Sequence, residues 1–374
     1  MTAIHLDLNN ADDARDMVHR AVAAIAAGKI VAIPTETVYG LAVSALKPDA
    51  VQRLLALKGR DANKPLAFAV KSGDAALDYV PDMPPLARRL ARRCWPGPVT
   101  LVLDASHPDS VINRLDETVR AATVPFGTAG LRVPAHEKTM QILHLCAGPI
   151  LLTSANLGGG PESINATEVL ESVGDQIDMV LDDGACRYGQ ASSVVQVTGN
   201  HFKILRAGVI DELTLNSMKG FIVLVVCTGN TCRSPMAEAL LKKQIAAKLN
   251  CSIEELESQG VTVISAGIAA LPGSPPAAQA QAIMQEMGLD ISSHASQPVT
   301  GRLAQFADVI LTLTNGHREA LISHWPQLET RTITLRQDGA DVSDPIGSSV
   351  EVYRQCAEQI DEHLNKWVSK HDFS

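Results

Sequence analysis

The sequence predicts an α/β protein of two domains, a mixed α/β domain followed by a doubly wound parallel sheet. Three observations predict it. The chain has 374 residues, more than one hydrophobic core usually serves. Apolar residues make up 46% and aromatics only 3%, so Val, Ile, Leu and Ala must fill the interior, as they do in strands covered by helices. In the second half, short apolar runs alternate with helical stretches.

The elements follow in order. Asp12 to Ala27 has apolar residues at helical spacing, with Gly28 as its C-cap. Lys29 to Ile33 is a β-type run ending at Pro34, and Val99–Leu103, Pro149–Thr153, Met179–Leu181 and Ser193–Val197 read as further strands. From Asp211 to Gly220 the pattern lapses into a polar bridge. This gives a first domain over 1–212, a linker over 213–220 and a second domain over 221–374. There, strands Phe221–Val226, Val261–Ser265, Asp308–Thr314 and Thr332–Leu335 alternate with helices Pro235–Leu249, Ala277–Met287, Gly316–His324 and Ser349–Val368. Such alternation builds right-handed βαβ units, whose sites lie at the carboxyl ends of strands.

A formal charge of −9, shared about evenly by the halves, leaves neither with the basic excess of a dedicated nucleic-acid binder, though it leaves room for a local basic groove. Arg88, Arg89, Arg92 and Arg93 have helical spacing and read as a solvated face before a weak tRNA contact. Asp7, Asp12, Asp13 and Arg15 interrupt any signal-peptide pattern. No run approaches the ~18 apolar residues of a membrane span. Seven cysteines without framework spacing suggest reduced thiols in a cytoplasmic protein.

In the second domain, Cys227-Thr228-Gly229-Asn230-Thr231-Cys232-Arg233-Ser234-Pro235 joins the first strand to the first helix. Cys227 and Arg233 bracket five residues. A loop of this length can turn its amides inward as an anion nest above a helix N-terminus. The same field favours the Cys227 thiolate, to which Ser234 can donate, while the Arg233 fork suits two phosphoryl oxygens. Asp344-Pro345 lies in a loop before the last helix, where a carboxylate can protonate a leaving group. Cys232 is either filler or a redox partner of Cys227, and His294 reads as a loop or packing residue before a ligand.

These residues resemble the low-molecular-weight protein tyrosine phosphatase family over residues 221–370. The resemblance implies Cys227 as nucleophile, Arg233 as phosphate binder, Asp344 as general acid and Asn230 as a brace of the loop. Tyrosine phosphatases of that family carry an aliphatic loop residue and aromatics after Asp-Pro. Here Thr231 and Ile346-Gly347-Ser348 stand instead, similar to the bacterial protein-arginine phosphatase branch. A phosphoarginine protein substrate is therefore favoured over phosphotyrosine. Arsenate reductases share the architecture but need a downstream cysteine pair, and no cysteine lies between Cys251 and Cys356.

In the first domain, Pro34 to Leu41, Lys58-Gly59-Arg60, Lys64-Pro65-Leu66, Trp95 to Thr100, Leu131 to Pro134, Thr153-Ser154-Ala155-Asn156, Ser192 to Val195 and Leu205 to Gly208 occur in one register. Together they resemble the YrdC-like threonylcarbamoyl-AMP synthase family, which implies a twisted mixed sheet with helices. The resemblance implies Lys58, Arg60, Ser154, Asn156 and Arg206 around ATP, with Mg2+, and Thr35, Arg132 and Ser192 around L-threonine. The reaction it implies joins L-threonine, bicarbonate and ATP, and feeds a tRNA-modifying threonylcarbamoyl transferase. Read without that resemblance, Lys58 and Arg60 are a solvated helix end, Ser154 a helix cap and the domain an RNA-binding module. Two positions depart from the family: a histidine is usual near Ala69, and Ala191-Ser192-Ser193 replaces Glu-Ser-Thr.

Overall fold

The computed structural model describes residues 3–10, 13–59, 64–371 and 373. They form two units, Met1–Met218 and Lys219–Ser374, each with its own hydrophobic interior. The first begins with strand β1 (Ile4–Asp7) and helix α1 (Ala14–Ala26). The Asp13 carboxylate caps α1 by accepting from the amides of Arg15 and Asp16; Asp12, the expected start, lies outside the described residues. Then come β2 (Val31–Ile33), β3 (Gly40–Ser44), α2 (Pro48–Lys58), β4 (Ala67–Ala69), α3 (Pro85–Cys94), β5 (Val99–Asp104), α4 (Glu117–Thr123) and β6 (Thr128–Arg132). After these follow α5 (Glu137–Leu145), β7 (Ile150–Ser154), α6 (Ala166–Val173), β8 (Met179–Asp182), β9 (Ser193–Thr198) and β10 (His201–Arg206).

Among the described residues these strands make one mixed sheet, in the order β1-β8-β2-β3-β7-β4-β6-β5-β9-β10. Its middle is buried on both faces: Ala32, Leu41 and Val43 join one apolar cluster, Val31, Ile33 and Ala42 another. A strand buried on both sides has no polar alternation, which is why β3 gives no strand signal in sequence. The sheet also adds β1, β6 and β10. The β9–β10 hairpin turns at Gly199 (φ +57°) followed by Asn200, a Gly-Asn turn that sequence does offer.

Most of the polar bridge expected from Asp211 to Gly220 is in fact helical. Helix α7 (Glu212–Met218) buries Leu215 completely in the first unit's core. The Asp211 carboxylate accepts from the Thr214 amide at 2.8 Å, a capping interaction that polar composition conceals. The arginine cluster on α3 is not one solvated face either. Arg88 is exposed, Arg89 and Arg92 are half-buried, and Arg93 is buried. Arg93 donates to the Met218 carbonyl, at the C-terminus of α7 where a cation is favoured.

The second unit is doubly wound. Its elements are β11 (Phe221–Cys227), α8 (Arg233–Leu249), β12 (Val261–Gly267), α9 (Ala278–Glu286), α10 (Gly301–Phe306), β13 (Val309–Thr312), α11 (Asn315–His324), β14 (Thr332–Thr334) and α12 (Val350–Lys370). All pairings are parallel, in the order β12-β11-β13-β14. Period-two alternation divides β11 between the layers. Val223, Val225 and Cys227 pack with residues of α8, α9 and α12, while Leu224 and Val226 pack with residues of α10 and α11. The loop after β11, at the carboxyl edge of a central strand, therefore leads straight into α8.

Candidate active sites

In the second unit, Cys227 is the last residue of β11 and Arg233 the first of α8. The Cys227 Sγ lies 2.8 Å from the Ser234 Oγ and 3.2 Å from the Asn230 amide. Asn230 is fully buried at φ +57°, a left-handed conformation that asparagine tolerates better than most side chains. Its side chain explains the choice. Asn230 Nδ2 donates to Ser234 Oγ and Ser265 Oγ, both at 2.9 Å, and its Oδ1 accepts from the Gln297 amide at 2.9 Å. Among the described residues, the amides of Gly229, Thr231, Cys232 and Arg233 donate to no protein acceptor. Such a run of open amides at a helix N-terminus suits an anion.

Arg233 is buried, and its Nη2 lies 2.5 Å from Asp344 Oδ2; the Asp344 side chain is 45% exposed. The two residues named as phosphate binder and acid thus meet in a pair, although 111 residues separate them. Thr228 Oγ1 is 2.9 Å from His317 Nε2, and His294 Nε2 is 3.0 Å from the Asn230 carbonyl. Burial, then the Arg233 charge, pushes the His317 imidazole down to about 4. Cys232 Sγ lies 3.2 Å from the Tyr353 hydroxyl, and all seven cysteines are free thiols. Thr231 is half-buried, its hydroxyl 3.7 Å from Cys232 Sγ and its carbonyl accepting from the Ala277 amide.

Ser265, Gln297, Glu238 and His317 brace this loop and escape sequence reasoning. Glu238 Oε2 accepts from Ser265 Oγ at 2.6 Å. Only the Ser and Gln types hint at such work; their partners lie 27 to 89 residues away. Beside the loop, Ile268 and Ala269 donate their amides to the Cys227 and Thr228 carbonyls. Ile268 is 39% exposed and Ile346, after Asp344-Pro345, 68% exposed.

In the first unit, a cavity of about 520 Å3 is lined by Thr35, Arg132, Ser154, Ser192 and Arg206 among others. A second, of about 470 Å3, is lined by Lys58, Lys64, Ser154, Asn156 and Arg206. Ser154, Glu162 and Arg206 belong to both, so the cavities abut. The sheet register explains the convergence: Gly40 opposes Ser154, Ala69 opposes Arg132, and Val99 opposes Ser193.

Each side chain has a defined partner set. Arg132 donates through Nη2 to Glu36 (2.8 Å) and Thr37 (2.9 Å) and through Nε to the Gly97 carbonyl. Its Nη1 has no acceptor among the described residues and remains available to a carboxylate. Arg206 donates through Nη2 to the Ser192 carbonyl and hydroxyl. The buried Lys58 ammonium reaches the Ser154 carbonyl, the Asn156 carbonyl and Asn156 Oδ1 at 2.6–2.9 Å, so it tethers the Ser154–Asn156 loop rather than lying solvated. Ser154 Oγ donates to Asn156 Oδ1 instead of capping a helix. Thr35 Oγ1 is taken up by its own turn, donating to the Val38 carbonyl at 2.6 Å. Ala69 and Ala191, near which the family often has histidine and glutamate, put two apolar side chains in the cavity wall instead. Arg60 lies outside the described residues.

Residues 23–208 match the Sua5/yciO/yrdC family, described as telomere recombination, and residues 222–372 match low molecular weight phosphotyrosine protein phosphatase. The threonylcarbamoyl-AMP synthase of Pyrococcus abyssi is 34% identical over 64% of this chain and 74% of its own length. The chain belongs to both families. The protein-arginine-phosphatase of Geobacillus stearothermophilus is 34% identical over 40% of this chain and 94% of its own length. A probable low molecular weight protein-tyrosine-phosphatase of Ralstonia nicotianae is 35% identical over 40% and 94%. The fusion is thus of a Sua5-type synthase unit, a type for which ATP is a substrate, with a cysteine-dependent phosphatase unit. Among the described residues no helix is long and apolar enough to cross a membrane.

Proposed function

We propose that the first unit makes threonylcarbamoyl-AMP from L-threonine, bicarbonate and ATP, and that the second hydrolyses phosphoarginine in proteins. The observation that carries the first half is the pair of abutting cavities with shared walls. In this reading L-threonine lies in the larger, its carboxylate on the open Nη1 of Arg132, with Thr35 and Ser192 in the wall. Its amine takes up bicarbonate to give a carbamate with loss of water, and the carbamate oxygen attacks the α-phosphorus of ATP. The bond to pyrophosphate breaks. Lys58, Arg60, Ser154, Asn156 and Arg206 orient the nucleotide and hold the departing charge. Among the described residues no group of three or more His, Cys, Asp or Glu could cage an ion. Magnesium therefore fits only as an ion arriving with the triphosphate, whose charge it neutralises. The product would pass to a tRNA-modifying threonylcarbamoyl transferase, in the cytoplasm.

In the second unit, phosphate entering the loop would displace Asp344 from Arg233 and accept hydrogen bonds from the open amides. The Cys227 thiolate, steadied by Ser234, attacks phosphorus; the P–N bond breaks and Asp344 protonates the leaving guanidine. Asp344 then takes a proton from the water that cleaves the cysteinyl phosphate. Thr231 in place of an aliphatic residue, and Ile346-Gly347-Ser348 in place of aromatics after Asp344-Pro345, remove the walls that would hold a phenol ring, which favours a planar polar guanidinium.

Phosphoarginine and phosphotyrosine peptides assayed side by side on the full chain test the second half. Phosphoarginine should be cleaved; rapid cleavage of phosphotyrosine with phosphoarginine left intact would reverse the assignment. Pyrophosphate release that needs both threonine and bicarbonate tests the first. No release alongside tight tRNA binding would make the unit an RNA-binding module.

A further inference from the structure

Four cations stand in the walls of the two abutting cavities: Arg132 in the larger, Lys58 and Lys64 in the smaller, and Arg206 in both. Against that background Glu162 is anomalous. It is the one carboxylate among the described lining residues of either cavity, and it lies in the wall common to both. Its Oε1 is 3.9 Å from Arg206 Nη1, beyond hydrogen-bond reach, and its side chain is 30% exposed. It accepts no hydrogen bond among the described residues. A carboxylate kept there repels a triphosphate. It ceases to do so when a divalent cation lies between them. Magnesium is held in this manner elsewhere, by one or two carboxylates together with substrate phosphates.

We propose that Glu162 is the protein's ligand to the divalent ion that accompanies ATP, so that the site selects metal–nucleotide over free nucleotide. The inference rests on the placement of ATP in these cavities given above. Glu162 makes only a loose ion pair with Arg206 Nη1, at 3.9 Å, so that nitrogen can still turn to phosphate while the carboxylate addresses the ion.

The test measures binding by the full-length protein of α,β-methylene-ATP, which cannot be cleaved to pyrophosphate, with Mg2+ and with EDTA. The native protein should bind the Mg2+ complex at least about tenfold more tightly than the free nucleotide, a coupling of ordinary size. Glu162→Gln should bring the two affinities within about twofold, chiefly by tightening the metal-free complex, because the repulsion is gone. With Mn2+ as probe, the protein-induced change in its electron paramagnetic resonance spectrum should vanish in the same variant. An unchanged ratio of the two affinities in Glu162→Gln overturns the proposal and leaves Glu162 as a mere neighbour of Arg206. Lys58→Met separates the two levels. If it leaves nucleotide affinity intact, the placement of ATP fails, and the role of Glu162 with it. If it abolishes binding while Glu162→Gln leaves the ratio alone, only the metal role fails.

Discussion

Cys227 is only 3% exposed, so in the proposed reaction a substrate would reach it through the mouth of its own loop, past the open amides. Removing the sulfur while keeping the loop separates chemistry from binding. Cys227→Ser should abolish turnover of phosphopeptides yet retain phosphate binding by calorimetry. Asp344→Asn should lower kcat by about 10²–10⁴, with the slowest release for the poorest leaving groups. His317 gives a pH signature. Its folded value near 4 lies below the ordinary histidine range, so between the two the unfolded chain binds more protons and stability rises with pH. The groups facing the ring are Arg233, Asp341, Asp344 and Thr228. His317→Asn should flatten the rise in stability between about pH 4 and 6.5, measured by urea unfolding at several pH values.

At the scale of elements, the carboxyl end of β12 is as much part of the proposed phosphatase site as β11. A Cβ on Gly267 would come within 2.4 Å of the Thr228 carbonyl and 3.0 Å of the Asn230 amide. The loop can move away only by breaking the ladder that joins the strands there. Gly267→Ala should therefore destabilise the second unit by about 1–3 kcal/mol and lower phosphopeptide turnover, while pyrophosphate release is unchanged. Helix α7 offers the parallel case in the first unit. Asp211→Ala removes its capping carboxylate and should cost about 1 kcal/mol, read as a fall in the thermal midpoint of that unit.

For the whole molecule, the first unit gathers its interior around one ten-stranded sheet and the second around a four-stranded one. We propose that residues 1–218 and 219–374, produced separately, each fold and keep their own activity. Circular dichroism and the two assays check this together, and an unfolded or inert piece would show that the cores are not self-sufficient. In the full chain, Cys227→Ser should leave pyrophosphate release at its native rate.

Residue identity and local spacing set the chemistry available to each half. Cys227 to Pro235 is a contiguous run whose spacing dictates a strand, a tight loop and a helix, so its geometry is local and legible. The regular alternation after Phe221 similarly settled the doubly wound sheet. What those groups touch depends on the assembled fold. Arg233 and Asp344 meet because β11 and the loop before α12 share one sheet edge, and no local pattern encodes a contact over 111 residues. Lys58 reads as solvent-exposed in isolation, yet it is buried by a loop almost a hundred residues on. β3 is silent because burial on both faces erases the alternation that would reveal it. Helix α7 hid for the opposite reason, its single fully buried Leu215 being too little apolar signal until the core that receives it exists.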